Sequence, residues 1–146
     1  MTFKRILCPI DFSDSSRAAM RVAAQLSKEA NGELILIHVW HPPYTFGPEA
    51  VFTPDLISTM KRDAEQGLVK WKTEAEDLRG SRVTAILEMG PPWDLVIEAA
   101  RKDPVIDLIV IGTHGRTGLK RVLLGSVAEK IVRHAPCPVL VARART

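Results

Sequence analysis

Apolar residues are arranged along this chain in two distinct patterns. Five short runs are rich in apolar residues without strict alternation, which is typical of strands covered on both faces of a sheet. Between these runs, apolar residues recur every three or four positions, the spacing of amphipathic helices. The pattern predicts strands over Phe3–Pro9, Leu34–Trp40, Val83–Met89, Val105–Ile111 and Pro138–Ala142. It predicts helices after the polar cluster Asp11–Ser16, from Asp55 to Gly80, around Trp93–Ala100 and over Val127–Ala135.

Strands that alternate with helices predict an α/β fold. Each helix carries the chain back in a right-handed crossover, so the strands are parallel and helices cover both faces of the sheet. With 146 residues, 46% of them apolar, the chain can build one core, and no linker or internal repeat divides it. We therefore predict a single domain over residues 1–146, with its ligand site beyond the carboxyl ends of the strands.

Composition excludes several classes of protein. The net charge is only +3 and aromatic residues make up 5%, so the clustered cations and stacking rings of a nucleic-acid-binding surface are not expected. No apolar run approaches the length of about 20 residues that a membrane span needs, and no signal peptide precedes the first strand. These observations predict a cytoplasmic protein that does not bind membranes. Cys8 and Cys137 are expected to be reduced structural thiols.

A glycine-rich segment carries the strongest chemical signal. Gly112-Thr-His-Gly115 follows the fourth predicted strand, and after nine residues Gly125-Ser126 precedes the last predicted helix. Glycines let a backbone approach an anion closely, and the first N–H groups of a helix bind negative charge. The segment is neither a Walker A loop nor a dinucleotide fingerprint, yet it predicts a phosphate site. Cations that could neutralise phosphate lie between the glycines, at Arg116, Lys120 and Arg121.

These motifs resemble the universal stress protein family, whose ATP-binding members carry G-x2-G-x9-G-[S/T]. The resemblance covers the whole chain, because Ile6–Asp11 with Ser13 and Ser15 is similar to the family's first strand and loop. It implies a Rossmann-like, adenine nucleotide alpha hydrolase-like sheet of five parallel strands in the order 3-2-1-4-5. In that order the ligand crevice lies between strands one and four, where the loops Asp11–Ser16 and 112–125 follow.

The resemblance also implies individual roles. Asp11 would accept hydrogen bonds from ribose or adenine, although an Asx-turn explains it equally well, and Ser13 would either contact the nucleotide or cap the first helix. Val39 would offer its backbone to the adenine edge, and Pro9 would form a wall beside the ligand. The phosphates would be bound by Gly112, Gly115, Arg116, Gly125, Ser126 and Val127, with Ser126 also capping the last helix.

The sequence contains no pattern typical of a protein-ligated metal site or of an efficient catalytic centre. The four histidines, at positions 38, 41, 114 and 134, form no zinc-like pattern, so Mg²⁺ or Mn²⁺ held through ATP phosphates is the more plausible cation. No nucleophile–base pair is evident. Asp11 alone would support slow hydrolysis at most, because phosphoryl transfer needs several aligned charges.

The sequence is therefore interpreted as an ATP-binding universal stress protein that regulates a stress response through partner proteins. Two alternatives remain open: a slow ATPase or phosphotransferase that uses the same pocket, and an interaction module without bound ATP. The resemblance implies a homodimer formed through the last strand. The proline-rich loop His41–Pro54 could cover the pocket or contact a partner.

Overall fold

The computed structural model describes residues 2–42, 54–102, 105–114 and 124–144. Strands and helices alternate along the chain, as the hydrophobic pattern predicts. The strands are β1 (Arg5–Pro9), β2 (Glu33–Trp40), β3 (Thr84–Met89), β4 (Leu108–Gly112) and β5 (Val139–Ala142). The helices are α1 (Asp14–Glu29), α2 (Pro54–Arg79), α3 (Pro92–Arg101) and α4 (Ser126–His134).

The strands form one parallel sheet in the order β3-β2-β1-β4-β5. The predicted order 3-2-1-4-5 is therefore confirmed. The central strand β1 pairs with β2 on one side and with β4 on the other, so strand order reverses between β1 and β4. At such a reversal, the loops after the two strands diverge and leave a crevice.

Helices pack on both faces of the sheet over two separate apolar clusters. One cluster joins alternate residues of the central strands, such as Ile6 and Val110, to α1 and α2. The other joins the intervening residues, such as Leu7 and Ile109, to α3 and α4. Successive strand side chains point to opposite faces, so one continuous apolar run supplies both clusters. This arrangement explains why the predicted strands lack hydrophobic alternation.

The fourth strand is shorter than predicted. It begins at Leu108, whereas the apolar run begins at Val105, whose side chain is 60% exposed. Asp107 explains the delayed start, because its carboxylate accepts hydrogen bonds from the backbone N–H groups of Lys4 at 2.6 Å and Arg5 at 3.0 Å. The chain thus joins the sheet at Asp107, whose own N–H donates to the Arg5 carbonyl at 3.0 Å, and the residues that follow pair with β1.

No helix in the described part of the chain is long and apolar enough to cross a bilayer. Both cysteines are free thiols. Burial raises the pKa of the Cys8 thiol far above its ordinary value, and partial burial together with the negative charge of Asp107 raises the pKa of Cys137. Both thiols therefore stay protonated at neutral pH, which makes them poor nucleophiles.

We expect Asp107→Ala to lower the free energy of unfolding by about 1–3 kcal/mol, because the backbone N–H groups of Lys4 and Arg5 lose their acceptor. The exposed carboxylate of Asp94, in the first turn of α3, provides a matched control. Urea denaturation should separate the two variants. Equal stability of Asp107→Ala and Asp94→Ala would show that water replaces the carboxylate without cost.

Candidate functional site

A cavity of about 720 Å³ lies at the carboxyl ends of β1, β2 and β4, where the strand order reverses. Its volume is within the range of small-molecule sites, roughly 300–1,000 Å³. Ile37, Val39, Ile111 and Ile131 give it an apolar floor, and the ends of the loops supply polar groups. Of the residues predicted for the site, the following line this cavity: Pro9, Asp11, Val39, Gly112, Gly125, Ser126 and Val127.

The turn between β1 and α1 positions Asp11 at the cavity. One carboxylate oxygen of Asp11 accepts hydrogen bonds from the backbone N–H and the hydroxyl of Ser13. The Ser13 hydroxyl oxygen in turn accepts a bond from the N–H of Ser16 at 3.1 Å, so Ser13 is the N-cap of α1. Asp11 thus forms the expected Asx-turn and also lines the cavity, whereas Ser16 lines the cavity in place of Ser13.

Gly112 brings the end of β4 against the first turn of α1. A β-carbon at Gly112 would lie 2.4 Å from the hydroxyl oxygen of Ser15 and 2.7 Å from its backbone carbonyl. Ser15 is buried, its hydroxyl lies 3.3 Å from that of Thr113, and it accepts a bond from the His114 N–H at 3.2 Å. The first glycine of the motif is therefore required for packing, independently of any ligand.

The N-terminus of α4 also lines the cavity. Gly125 is the N-cap, with no side-chain capping bond, and its N–H donates to the carbonyl of Thr113 at 2.6 Å. The prediction that Ser126 caps this helix is wrong, because Ser126 is the first helical residue. Glycine has no side chain that could accept from the first N–H groups of α4, and this end of a helix attracts anions.

The segment between the two ends of the motif lies outside the described residues. It includes four predicted residues: Gly115, Arg116, Lys120 and Arg121. The bond between Thr113 and Gly125 joins the residues on either side of that segment. Most of the proline-rich loop, residues 43–53, also lies outside the described residues.

Several cavity residues were not predicted as site residues. His38, Trp40, His41 and His114 all line the cavity. His38 is 8% exposed, and its Nδ1 lies 2.7 Å from the Ile10 carbonyl, so this nitrogen carries the proton and donates. His114 lies within the glycine motif, which is a signal in itself, whereas His38 and Trp40 belong to an apolar run that looks like core and have no signal beyond their position near a strand end. No group of three or more possible metal ligands occurs among the described residues.

A comparison with family models gives one match over nearly the entire chain. The model of the universal stress protein family matches residues 2–143. This chain belongs to the universal stress protein family. It is 40% identical over 142 residues to a universal stress protein of Methanocaldococcus jannaschii, covering 97% of this chain and 82% of that protein.

Solved structures of the family are similar over their full length. The hypothetical protein MJ0577 superposes with a TM-score of 0.84 and 31% identity, over 100% of this chain and 99% of that chain. The universal stress protein UspA from Lactobacillus plantarum gives a TM-score of 0.79 and 26% identity, over 98% of this chain and 99% of that chain. The Rossmann-like fold of this universal stress protein is thus the fold of its relatives.

We expect Gly112→Ala to destabilise this universal stress protein by about 1–3 kcal/mol, the usual cost of overpacking a close contact. The new methyl group would overlap backbone atoms of Ser15, which cannot rotate away. Gly125→Ala should cost less, because the nearest atom to its β-carbon, the Cα of His114, would lie at 3.1 Å. Thermal unfolding of both variants tests the order, and a Gly112→Ala protein as stable as the parent would contradict the packing role.

Proposed function

We propose that this universal stress protein binds ATP in the cavity and regulates a stress response through partner proteins in a nucleotide-dependent way. The observation that carries the proposal is the placement of opposite chemistries at one strand reversal. The glycine-capped N-terminus of α4, the backbone of Gly112 and the acidic residue Asp11 all line the same cavity. A molecule with an anionic end and a hydroxyl-rich end fits both.

The adenosine end of the ligand is assigned to the part of the cavity near β1 and β2. The backbone of Val39 would pair with the adenine edge, and Pro9 would pack beside the ring. Asp11 would accept hydrogen bonds from ribose hydroxyls. The observed bonds from Ser13 orient this carboxylate before any ligand arrives, so less ordering is needed on binding.

The phosphate end is assigned to the glycine motif. The N–H groups of Ser126 and Val127 lie in the first turn of α4, where a helix attracts negative charge. Gly112, Gly115 and Gly125 would allow close backbone approach, and Arg116 would supply positive charge. Mg²⁺ or Mn²⁺ would be held through the phosphates and water, because oxygen-rich ligands suit both ions.

Two structures that share this fold support a nucleotide ligand. One is a universal stress protein in complex with cAMP, with a TM-score of 0.74 and 22% identity. The other is an Arabidopsis thaliana family protein with AMP bound, with a TM-score of 0.66 and 16% identity. Both ligands carry adenosine with one phosphate, so the decisive experiment must distinguish the number of phosphates.

The first test is mass spectrometry of ligand released from denatured, freshly purified protein, followed by calorimetry of the emptied protein with ATP, AMP, cAMP and adenosine. We expect ATP to bind most tightly and to need the glycine-capped helix end. Gly125→Val should raise the Kd for ATP about tenfold or more, since it crowds phosphate-binding N–H groups, each worth about 1.5 kcal/mol or more toward an anion. Its effect on adenosine should be small.

Val132→Ala is the matched control, because Val132 is exposed on α4 and does not line the cavity. This variant should bind ATP like the parent. If Gly125→Val lost equal affinity for ATP and adenosine, the assignment of the phosphates to the start of α4 would be wrong. A parent protein that binds no adenine nucleotide would refute the proposed function. Phosphate release measured on the same samples distinguishes a binding protein from a slow ATPase.

We also propose that the protein forms a homodimer through β5. This strand is an edge of the sheet, and Leu140 and Val141 are 39% and 38% exposed. The Pro138 carbonyl bonds to the N–H of Ile109 on β4. Backbone groups alternate in direction along a strand, so those of Leu140 also face β4 and those of Val139 and Val141 face outward. An unpaired apolar edge of this kind favours pairing with a second copy.

We expect Val141→Pro to convert the dimer to a monomer, because proline removes an outward backbone donor from each copy in a two-fold contact. The ladder between β4 and β5 should persist, since it does not use that donor. Val141→Ala, which keeps the N–H, should remain mostly dimeric. Sedimentation equilibrium distinguishes these outcomes, and a parent protein that stays monomeric at high micromolar concentration would exclude this interface.

A further inference from the structure

Phe12 adopts a backbone conformation that bulky residues rarely use. Its φ is +66°, in the left-handed region that favours glycine. A side chain with a β-carbon is strained there, and such strain persists only where the surroundings hold the residue in place. Phe12 lies between Asp11, which lines the cavity, and Ser13, which caps α1. The strained residue is thus the middle of the turn that presents Asp11.

The Phe12 ring is held by residues from two other elements. Its centroid lies 4.3 Å from that of the His38 ring on β2, at a tilt of 42°, and 5.4 Å from the ring of Trp71 on α2, which it meets edge to face. His38 is fixed by its bond to the Ile10 carbonyl. Trp71 is buried on the sheet, and the Arg17 guanidinium lies 4.5 Å from the centroid of its ring. These contacts can compensate the backbone strain of the turn.

Gly67 supplies the space that the ring occupies. A β-carbon built at Gly67 would lie 2.8 Å from Cζ of Phe12 and 3.0 and 3.2 Å from its two Cε atoms. Glycine within a helix is disfavoured relative to alanine, yet here it opens a notch on α2 that fits the edge of the ring. The ring cannot turn aside freely, because His38 and Trp71 pack against it.

We propose that Phe12, seated in the notch at Gly67, is a positioning residue through which α2 sets the conformation of the Asp11 turn and hence the affinity for nucleotide. None of the residues of α2 lines the cavity, so α2 acts on it through neighbours, and Phe12 is the neighbour that belongs to the Asp11 turn itself. The inference rests on the proposed ATP site for its effect on affinity. Its structural part, the dependence of the Asp11 turn on Gly67, can be measured without ligand.

The test is a double-mutant cycle with two readouts. Gly67→Ala adds one methyl group in the notch, and Phe12→Leu removes the Cε and Cζ atoms which that methyl would contact. The readouts are the amide resonances of Asp11 and Ser13 without ligand and the calorimetric Kd for ATP. Gln66→Ala, at the exposed neighbouring position of the same helix, is the matched control.

We expect Gly67→Ala to shift both amide resonances and to raise the Kd for ATP about tenfold, the loss that follows when one hydrogen bond to a charged group is misplaced. In the Phe12→Leu background the same substitution should change neither readout, and Gln66→Ala should match the parent. This dependence on Phe12 separates positioning from a general loss of stability, which would appear in both backgrounds.

Three results would overturn the inference. The first is unchanged Asp11 and Ser13 amide resonances in Gly67→Ala, and the second is shifted resonances with an unchanged Kd for ATP. The third is an equal loss of ATP affinity on Gly67→Ala in the parent and Phe12→Leu backgrounds. A parent protein that binds no ATP would be a failure of the proposed function instead. In that case the ligand-free amide resonances alone decide whether α2 controls the turn.

Discussion

The contact between Gly112 and the first turn of α1 is the constraint on which the candidate site depends. It joins the end of β4 to the helix that follows β1, across the reversal in strand order. Without a side chain at position 112, the Ser15 hydroxyl reaches both Thr113 and the His114 N–H. The first residues after β4, Thr113 and His114, are therefore tied to the first turn of α1 by polar contacts of a buried serine.

The polar groups on the two sides of the cavity are held in different ways. In the turn after β1, the Ser16 hydroxyl accepts from the Asp11 N–H, and the Ser13 hydroxyl donates to the Asp11 carboxylate and accepts from the Ser16 N–H. The Asp11 carboxylate therefore has a defined orientation. At the start of α4, the cap residue is a glycine, which offers no side-chain acceptor to the first N–H groups of the helix. One side thus presents a fixed acceptor and the other presents donors. This asymmetry favours a ligand with hydroxyls at one end and negative charge at the other.

Hydrophobic periodicity predicted the order and type of the elements well, because both faces of the sheet are covered and the strands appear as short runs rich in apolar residues. The predicted start of β4 is wrong because long-range hydrogen bonds decide it: the N–H groups of Lys4 and Arg5 donate to the Asp107 carboxylate. The predicted cap of α4 is wrong for a local reason. Serine is a preferred N-cap residue, but the backbone takes its cap conformation at Gly125, one residue earlier, so Ser126 is already helical. Cavity residues such as His38 and Trp40 have no signal beyond their position at a strand end.

Phe12 and Gly67 illustrate a further limit on prediction from local patterns. A phenylalanine in the left-handed region and a glycine inside a helix each conflict with local preference, and each alone would count as a defect. In the folded chain the ring of one fills the notch left by the other, so the two conflicts compensate. Since such paired exceptions tend to occur near functional sites, the position of this pair beside Asp11 supports a role for the turn that goes beyond packing.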